Sequence, residues 1–514
     1  VNLRHAGRWL TLAAALGGGC QAVSPEPIPV ARPLHAAWMK QPPAPVAGTA
    51  PRSRPGVVLA KAEEPAAPAT TDHTIDLGVA LRLAGVDNPT INLARERVRE
   101  AAAAELGARS LLLPSVNIGG NYHLHNGALQ ASPGFIRVVN SRSLYLGFGA
   151  RALAAETVAF PGVRLFAHLG DAAYEPIAAR QQTAVRRADA SATNNAVLLD
   201  VATGYLELVG AEARLDVLRR AEADVTEVAR LTAVYAAKGQ GREGDAMRAA
   251  TNAELVRRQL RRAEEDVAVA SARLAGLLNF SPVDRLRTPG GPVEAFRLVP
   301  ADSPLELLVE AAVRARPEVT ARAVAIQQAE TRRRQEQVRP LVPTISVGVS
   351  GGLFGGGSNL VDPAFGPLKG RTDFDALAVW NVQNIGFGNL ALVRRADAVV
   401  GTAVADYELA VNLVRREVAE ALAAAQAAAL QIGQARAAVT TAEEGFRLEA
   451  ERIRQGQGRP IEVLDSFNQL LDARQELVRA VVAFDIAQFR LFVAVGNNPL
   501  AEECRREFAA DERG

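Results

Sequence analysis

Gly456-Gln457-Gly458-Arg459, followed by Pro460 and Ile461-Glu462-Val463-Leu464-Asp465, is the stretch that decides the fold of this chain. The same tetrad stands 217 positions earlier, as Gly239-Gln240-Gly241-Arg242. Without a gap, that shift also aligns Val201-Ala202 with Val418-Ala419, Arg230-Leu231 with Arg447-Leu448, Arg273-Leu274 with Arg490-Leu491, and Pro282 with Pro499. A register that long is an internal duplication. In both copies the tetrad interrupts an Ala/Leu/Arg/Glu-rich helical pattern, and two glycines between helices supply the positive φ that a tight helix-turn-helix needs. The chain therefore holds two long α-hairpins.

Composition agrees. Of 514 residues 48% are apolar, but alanine is abundant and aromatics are 5%, a mix suited to helices that approach closely through small side chains. A net charge of +2 gives no reason to expect a nucleic-acid partner. The two cysteines, Cys20 and Cys504, lie at opposite ends and imply no disulfide framework. No apolar run is long enough for a transmembrane helix.

Residues 1–20 have the form of a secretory signal: basic Arg4, His5 and Arg8, an apolar core from Trp9 to Leu16, then Gly17-Gly18-Gly19 before Cys20. This resembles the lipobox of bacterial lipoproteins, which implies lipidation at Cys20, although Gly17 stands where a leucine is usual. An ordinary signal with an incidental cysteine is the alternative. Residues 21–73 are Pro/Ala-rich and read as an extended linker.

The first repeat, 74–299, opens with a short helix, Asp76 to Val86, then Asn88-Pro89 and a helix to about Leu113. After Pro114 the period becomes two: Val116, Ile118, Gly120, Tyr122 and Leu124 alternate with Ser115, Asn117, Gly119, Asn121 and His123, which predicts a strand. A second strand is expected between Leu144 and Phe160, without a defined register. Helices follow over Pro176–Lys238 and Gly244–Leu278. The second repeat, 300–500, restates this with helices Leu305–Ala315 and Pro317–Val338. Its strands are one opened by Pro343 and one over Phe374–Trp380, joined by a Gly/Pro-rich loop from Gly355 to Gly370. Helices Asn389–Gln455 and Ile461–Val495 complete it, before a charged tail, 501–514. Each long helix is matched in length by its return arm plus the helix before the strands, so the strands lie at the opposite end from the tetrad turns. Alternating strands of about ten residues suit a membrane barrel, in which every backbone group is paired. Four strands cannot close a useful barrel, so several chains must share one.

The two helix–hairpin–helix repeats, Asn88-Pro89, Ser115-Val116-Asn117, the run Trp380-Asn381-Val382-Gln383-Asn384-Ile385-Gly386-Phe387-Gly388 and both tetrads together resemble the TolC-type outer-membrane efflux proteins, over roughly residues 74–499. The resemblance implies a homotrimer in which each chain gives four strands to a 12-stranded outer-membrane barrel and its helices form a periplasmic tunnel. It also implies a passive exit duct for a tripartite efflux pump or type I secretion system, with a periplasmic adaptor and an inner-membrane transporter as partners. The chain departs from the family in its Pro-rich linker and in a longer segment from His125 to Phe160. An envelope-associated coiled-coil scaffold without channel activity is the alternative from another class.

Under that resemblance Asp245, Glu462 and Asp465, just after the turns, line the periplasmic entrance, with Arg242, Arg454 and Arg459 as the cations nearby in sequence. Gly239, Gly241, Gly456 and Gly458 form the adaptor-docking turns. The competing reading of the acids is that a negative charge in the first helical turn favours the helix dipole, which explains Asp465 less well. No residue constellation implies an enzyme, a cofactor or a metal. Gly348-Val349-Ser350-Gly351-Gly352 imitates a nucleophile elbow inside a strand. Gly386–Ala391 imitates a dinucleotide fingerprint without the parallel strand that it requires. His123 and His125 share one strand face and read as a lumen-facing polar pair, with a metal pair as the alternative. The runs Arg257-Arg258 and Arg332-Arg333-Arg334 read as solvated helix faces.

Overall fold

The structure is a computed structural model that describes residues 72–152, 157–281, 284–300, 302–362, 364–455 and 458–500. The expected signal and nearly all of the linker, with Cys20, lie outside the described residues, as do Gly456, Gln457 and the tail.

The first repeat runs β1 (Asp72–Thr74), α1 (Leu77–Asp87), α2 (Pro89–Arg109), β2 (Ser115–Val116), β3 (Ile118–Gln130), β4 (Ile136–Ala152), β5 (Val158–Pro161), β6 (Val163–His168), α3 (Leu169–Ala237), α4 (Glu243–Leu277) and β7 (Arg285–Arg287). The second runs α5 (Leu305–Ala315), α6 (Pro317–Val338), β8 (Thr344–Ser358), β9 (Lys369–Val379), α7 (Phe387–Arg454) and α8 (Pro460–Ala494). The duplication in the sequence thus returns as matched pairs of helices of 69 and 68 residues, each followed by a return arm of 35. At 1.5 Å per residue the long helices reach about 100 Å. The shorter helices α2 and α4 both pack on α3, and α6 and α8 both pack on α7, with α6 and α8 also touching α3.

Local chemistry sets the boundaries. Asp76 caps α1 by accepting from the Val79 amide at 2.7 Å. Asn88 ends α1 and starts α2: its Oδ1 accepts from the Thr90 amide at 2.8 Å while its Nδ2 donates to the Leu277 carbonyl at 2.9 Å, tying α2 to the end of α4. In the second repeat Arg316, before Pro317, has no such cap and pairs instead with Glu318 and Glu417. The core at mid-height brings Leu198, Val201, Tyr205 and Leu208 of α3 against Leu274 of α4, Leu422 of α7, Phe489 and Leu491 of α8, and Leu81 of α1.

Several expected boundaries move. The helix expected from Pro176 starts at Leu169, because the His168 ring caps it, accepting from Gly170 at 3.1 Å. Pro176 lies within its second turn. The second strand starts at Ile136, ahead of the expected Leu144. Gly355–Gly357, expected as loop, continue β8, and β9 begins at Lys369 rather than Phe374. A parallel pairing of β1 with β7, Asp72 opposite Arg285, joins the start of the first repeat to the chain between repeats.

The remaining strands form one antiparallel sheet. Strand β3 pairs with β4, and β2 with β6. Both β4 and β6 pair with β8, which pairs with β9. Four strand positions result: β2 and β3 share the first, β4 and β6 the second, β8 takes the third and β9 the fourth. β3 and β9 are the two long outer edges, each hydrogen-bonded on one side only among the described residues.

Candidate functional site

The sheet has two chemically different faces, fixed by cross-strand register. Ile118, Tyr122 and Leu124 of β3 share a face with Leu144, Leu146 and Phe148 of β4, Val163 and Leu165 of β6, Val347, Val349 and Leu353 of β8, and Phe374 of β9. Many of these are open to the surroundings, Ile118 by 75% and Phe374 by 70%. The opposite face carries Asn121, His123, His125, Ser141, Ser143, Tyr145, Ser350, Arg371, Asp373 and Asp375. There Arg371 meets Asp373 at 2.9 Å and lies over the Phe354 ring at 5.0 Å. Val116 and Ile345 fall on the apolar face, Asn117 and Ser346 on the polar one. Among the described residues no group of His, Cys, Asp and Glu could hold a metal ion. The elbow-like Gly348–Gly352 lies wholly inside β8, with no helix following it.

Where the sheet meets the helices, a polar cluster locks α3 to α6. Arg332 forks onto Glu175, Gln335 donates to Asp171 at 2.7 Å, and Arg339 meets Asp171 at 2.7 Å and Glu336 at 3.0 Å. The Arg332 hydrogen bond holds the Glu175 carboxyl below the usual carboxylate range, against partial burial. Arg332 is therefore an inter-helix tie, not the solvated residue its run suggested. Only the folded packing of α3 on α6 brings it to a glutamate 157 residues away.

At the far end are the turns. Gly239 has φ +73°, and the amides of Gln240 and Gly241 both donate to the Tyr235 carbonyl, closing α3. Gly458 donates to the Arg452 carbonyl at 3.1 Å, and a Cβ there would stand 2.9 Å from Ile453. Glycine is required by that approach. The two tips also touch each other. Tyr235 donates its hydroxyl to the Ile453 carbonyl, 218 residues away, above an apolar cluster of Val228, Ala249, Ile453, Val463 and Leu464. Asn252 donates to Asn468 at 2.9 Å beside it. Neither link was legible from the sequence.

Two of the acids named from the sequence stand in the first turns. Asp245 and Glu462 are each the third residue of their helix, and Asp465 follows one turn on, exposed. Asp245 pairs with Arg248 at 3.7 Å, and Asp465 accepts from Gln469 at 2.9 Å. Arg454 pairs with Glu451 at 3.8 Å. Among the described residues no ion pair joins Arg242, Arg454 or Arg459 to Asp245, Glu462 or Asp465 within the protomer, and Arg242 and Arg459 are exposed.

A further polar pair, also unread in the sequence, sits deep in α8. Asp485 accepts from the Phe296 amide at 3.1 Å, and Gln488, one turn on, accepts from Leu298 and Val299, each at 3.0 Å. Both side chains are buried and clamp the inter-repeat segment onto the helices.

Comparison with known proteins reaches the same fold. Residues 308–497 match the family described as outer membrane efflux protein. No curated protein matches the chain by sequence. The outer-membrane channel OprN is 18% identical, with 83% of this chain and 91% of that one covered at a TM-score of 0.67. The outer membrane protein VceC of Vibrio cholerae is 17% identical, with 82% and 96% covered at 0.62. The Campylobacter jejuni CmeC outer membrane channel is 16% identical, with 90% and 97% covered at 0.65. The duplicated helical hairpins with four strand positions are the fold that these three outer-membrane proteins share.

Proposed function

We propose that three copies of this chain form an outer-membrane channel, the passive exit duct of a tripartite efflux pump or a type I secretion system. The observation that carries the reading is the sheet: an exposed apolar face backs a polar one, and both outer edges are long and unshared within the protomer. In water such edges invite aggregation, whereas three sheets joined edge to edge leave none. The apolar face then meets lipid and the polar face lines the lumen. An apolar face this open counts against the coiled-coil scaffold.

The helical tips, on this reading, are the periplasmic entrance, and an adaptor engages the turns at Gly239, Gly241, Gly456 and Gly458. Arg242 and Arg459 are available to acids of a neighbouring subunit, among them Glu462 and Asp465. Exposed pairs contribute about 0–1 kcal/mol each, so they bias a closed state that an adaptor can reverse. The Tyr235–Ile453 link holds the two hairpins of one subunit together and must yield if one tilts from the other. Cys20 supplies a lipid anchor, and residues 1–20, 21–73, 74–299 and 300–500 stand as signal, linker and two repeats.

Purified protein should migrate as a heat-modifiable trimer, require detergent for extraction and conduct ions in planar bilayers. A detergent-free, non-conducting trimer would refute the channel and favour the scaffold.

A further inference from the structure

The second strand position is interrupted, and the interruption has a defined length. From Phe148 to Val163 the chain advances fifteen residues, while β8 moves only from Gly351 to Val349 and the first strand only from Ile118 to Val116. Thirteen positions of sequence, Gly149 to Pro161, are therefore extra in the line of the second strand, and their described parts, 149–152 and 157–161, turn out of that line as a pair hydrogen-bonded to each other. Asn117 marks the closure: its carbonyl accepts from Gly149 at 2.9 Å and its amide donates to Gly162 at 2.6 Å.

The arms of this insert, 149–152 and 157–161, lie on the polar face. Ala152 and Val158 pack on Tyr145, which is 0% exposed, and on Phe354. A Cβ on Gly348 would stand 2.5 Å from Pro161, and one on Gly119 would stand 3.3 Å from the Ala150 methyl. Two glycines thus make the floor on which the arms rest. Ser350 is covered, and its hydroxyl has no partner among the described residues, an odd fate for a residue on the wall of a water-filled duct. Asn117 adds a side-chain hydrogen bond to the Pro161 carbonyl at 2.8 Å. Ala159, next to buried Val158, is exposed.

We propose that these arms stand inside the barrel, where three copies form a constriction separate from the helical tips; this rests on the trimeric channel reading. Twelve strands at ~4.8 Å spacing, tilted by ~40°, enclose a cylinder of roughly 12 Å radius. A layer packed on a sheet stands about 10 Å from it. Three such layers converge on the axis, and the space left suits a small solute, not a polypeptide chain.

Ala159→Cys, placed in a chain with Cys504→Ser, tests the convergence through a three-armed maleimide reagent applied to the assembled trimer. A covalent trimer is expected, with none in the Ala159 parent. A heat-modifiable trimer that does not cross-link would overturn the constriction and leave the channel standing. If the parent forms no such trimer and no conducting channel, the channel reading itself fails. A second measurement does not depend on the tips. Ser350→Cys should resist a membrane-impermeant thiol reagent, and excision of 149–161, which joins Phe148 to Gly162 in register, should raise its labelling rate at least tenfold. Equal labelling with and without the insert would refute the proposal.

Discussion

Asp485→Asn should tighten the grip of α8 on the inter-repeat segment, by an amount that grows with pH. Asp485 is 1% exposed and accepts from the Phe296 amide. Burial pushes its carboxyl from the ordinary 3.8 up to about 8, with the Phe296 hydrogen bond pulling the other way. Between those values the folded chain keeps a proton that the opened chain releases. Stability is therefore highest below about pH 4 and declines as pH rises toward 8, by up to about 1.4 kcal/mol per unit. The full window amounts to roughly 6 kcal/mol. Local opening limits the observed loss, because water reaches the carboxylate once the segment lifts. Asparagine keeps the shape and the acceptor oxygen but cannot ionise. Hydrogen exchange at the Phe296 amide, corrected for intrinsic rate, reads the segment directly. Wild-type protection should fall between pH 5 and 8, whereas the Asn variant should stay level and exchange at least tenfold more slowly at pH 8. Wild-type protection that is flat or rising across this range would refute the argument, as would an Asn variant that is less protected throughout.

Other outcomes follow from the sheet and the tips. Val347→Arg on the apolar face should lower the yield of assembled trimer, at roughly 2–4 kcal/mol near the membrane midplane, while Ser346→Arg should assemble and alter conductance; equal assembly of the two would contradict the face assignment. Tyr235→Phe removes one hydrogen bond, about 0.5–1.5 kcal/mol, and should raise the open fraction in single-channel recordings without lowering the yield of folded trimer. The double change Glu462→Ala/Asp465→Ala should reduce cation selectivity and block by multivalent cations, and unchanged recordings would make these acids helix-start residues only. Cys20→Ala should weaken anchoring and leave the barrel able to form, which mass spectrometry of the mature N-terminus and membrane fractionation would check.

Repetition made the helices legible. Periodicity and the tetrad turns place α5 and α6 at their observed bounds, and α4, α7 and α8 within two residues of theirs. Pairings between distant segments were not legible. Tyr235 finds Ile453 across 218 residues, and Asp485 finds Phe296 across 189. A tyrosine on a helix, or an aspartate between Phe484 and Ile486, carries no local mark of such a partner. The acids after the turns show the converse limit. Their places near the helix starts were readable, but their partners within the protomer, Arg248 for Asp245 and Gln469 for Asp465, lie on their own helix, so the sequence spacing to Arg242 or Arg459 predicted no contact.

The missing register between Leu144 and Phe160 has a more specific cause. On β4 the apolar face takes the even positions, Leu144, Leu146 and Phe148, whereas on β6 it takes the odd ones, Val163 and Leu165. An insert of thirteen residues, being odd, must reverse the alternation for both halves to keep their apolar side chains on one face. A period-two pattern carried straight through 149–161 therefore cancels itself, and the segment reads as patternless although both halves are regular. An insert of even length would instead leave the alternation continuous in sequence and keep the same side chains on the apolar face. The register that β8 holds with both β4 and β6 puts even positions of one and odd positions of the other on the same face, which fixes the length as odd. The loss of pattern in the sequence and the intact apolar face in the fold are thus two consequences of one odd number.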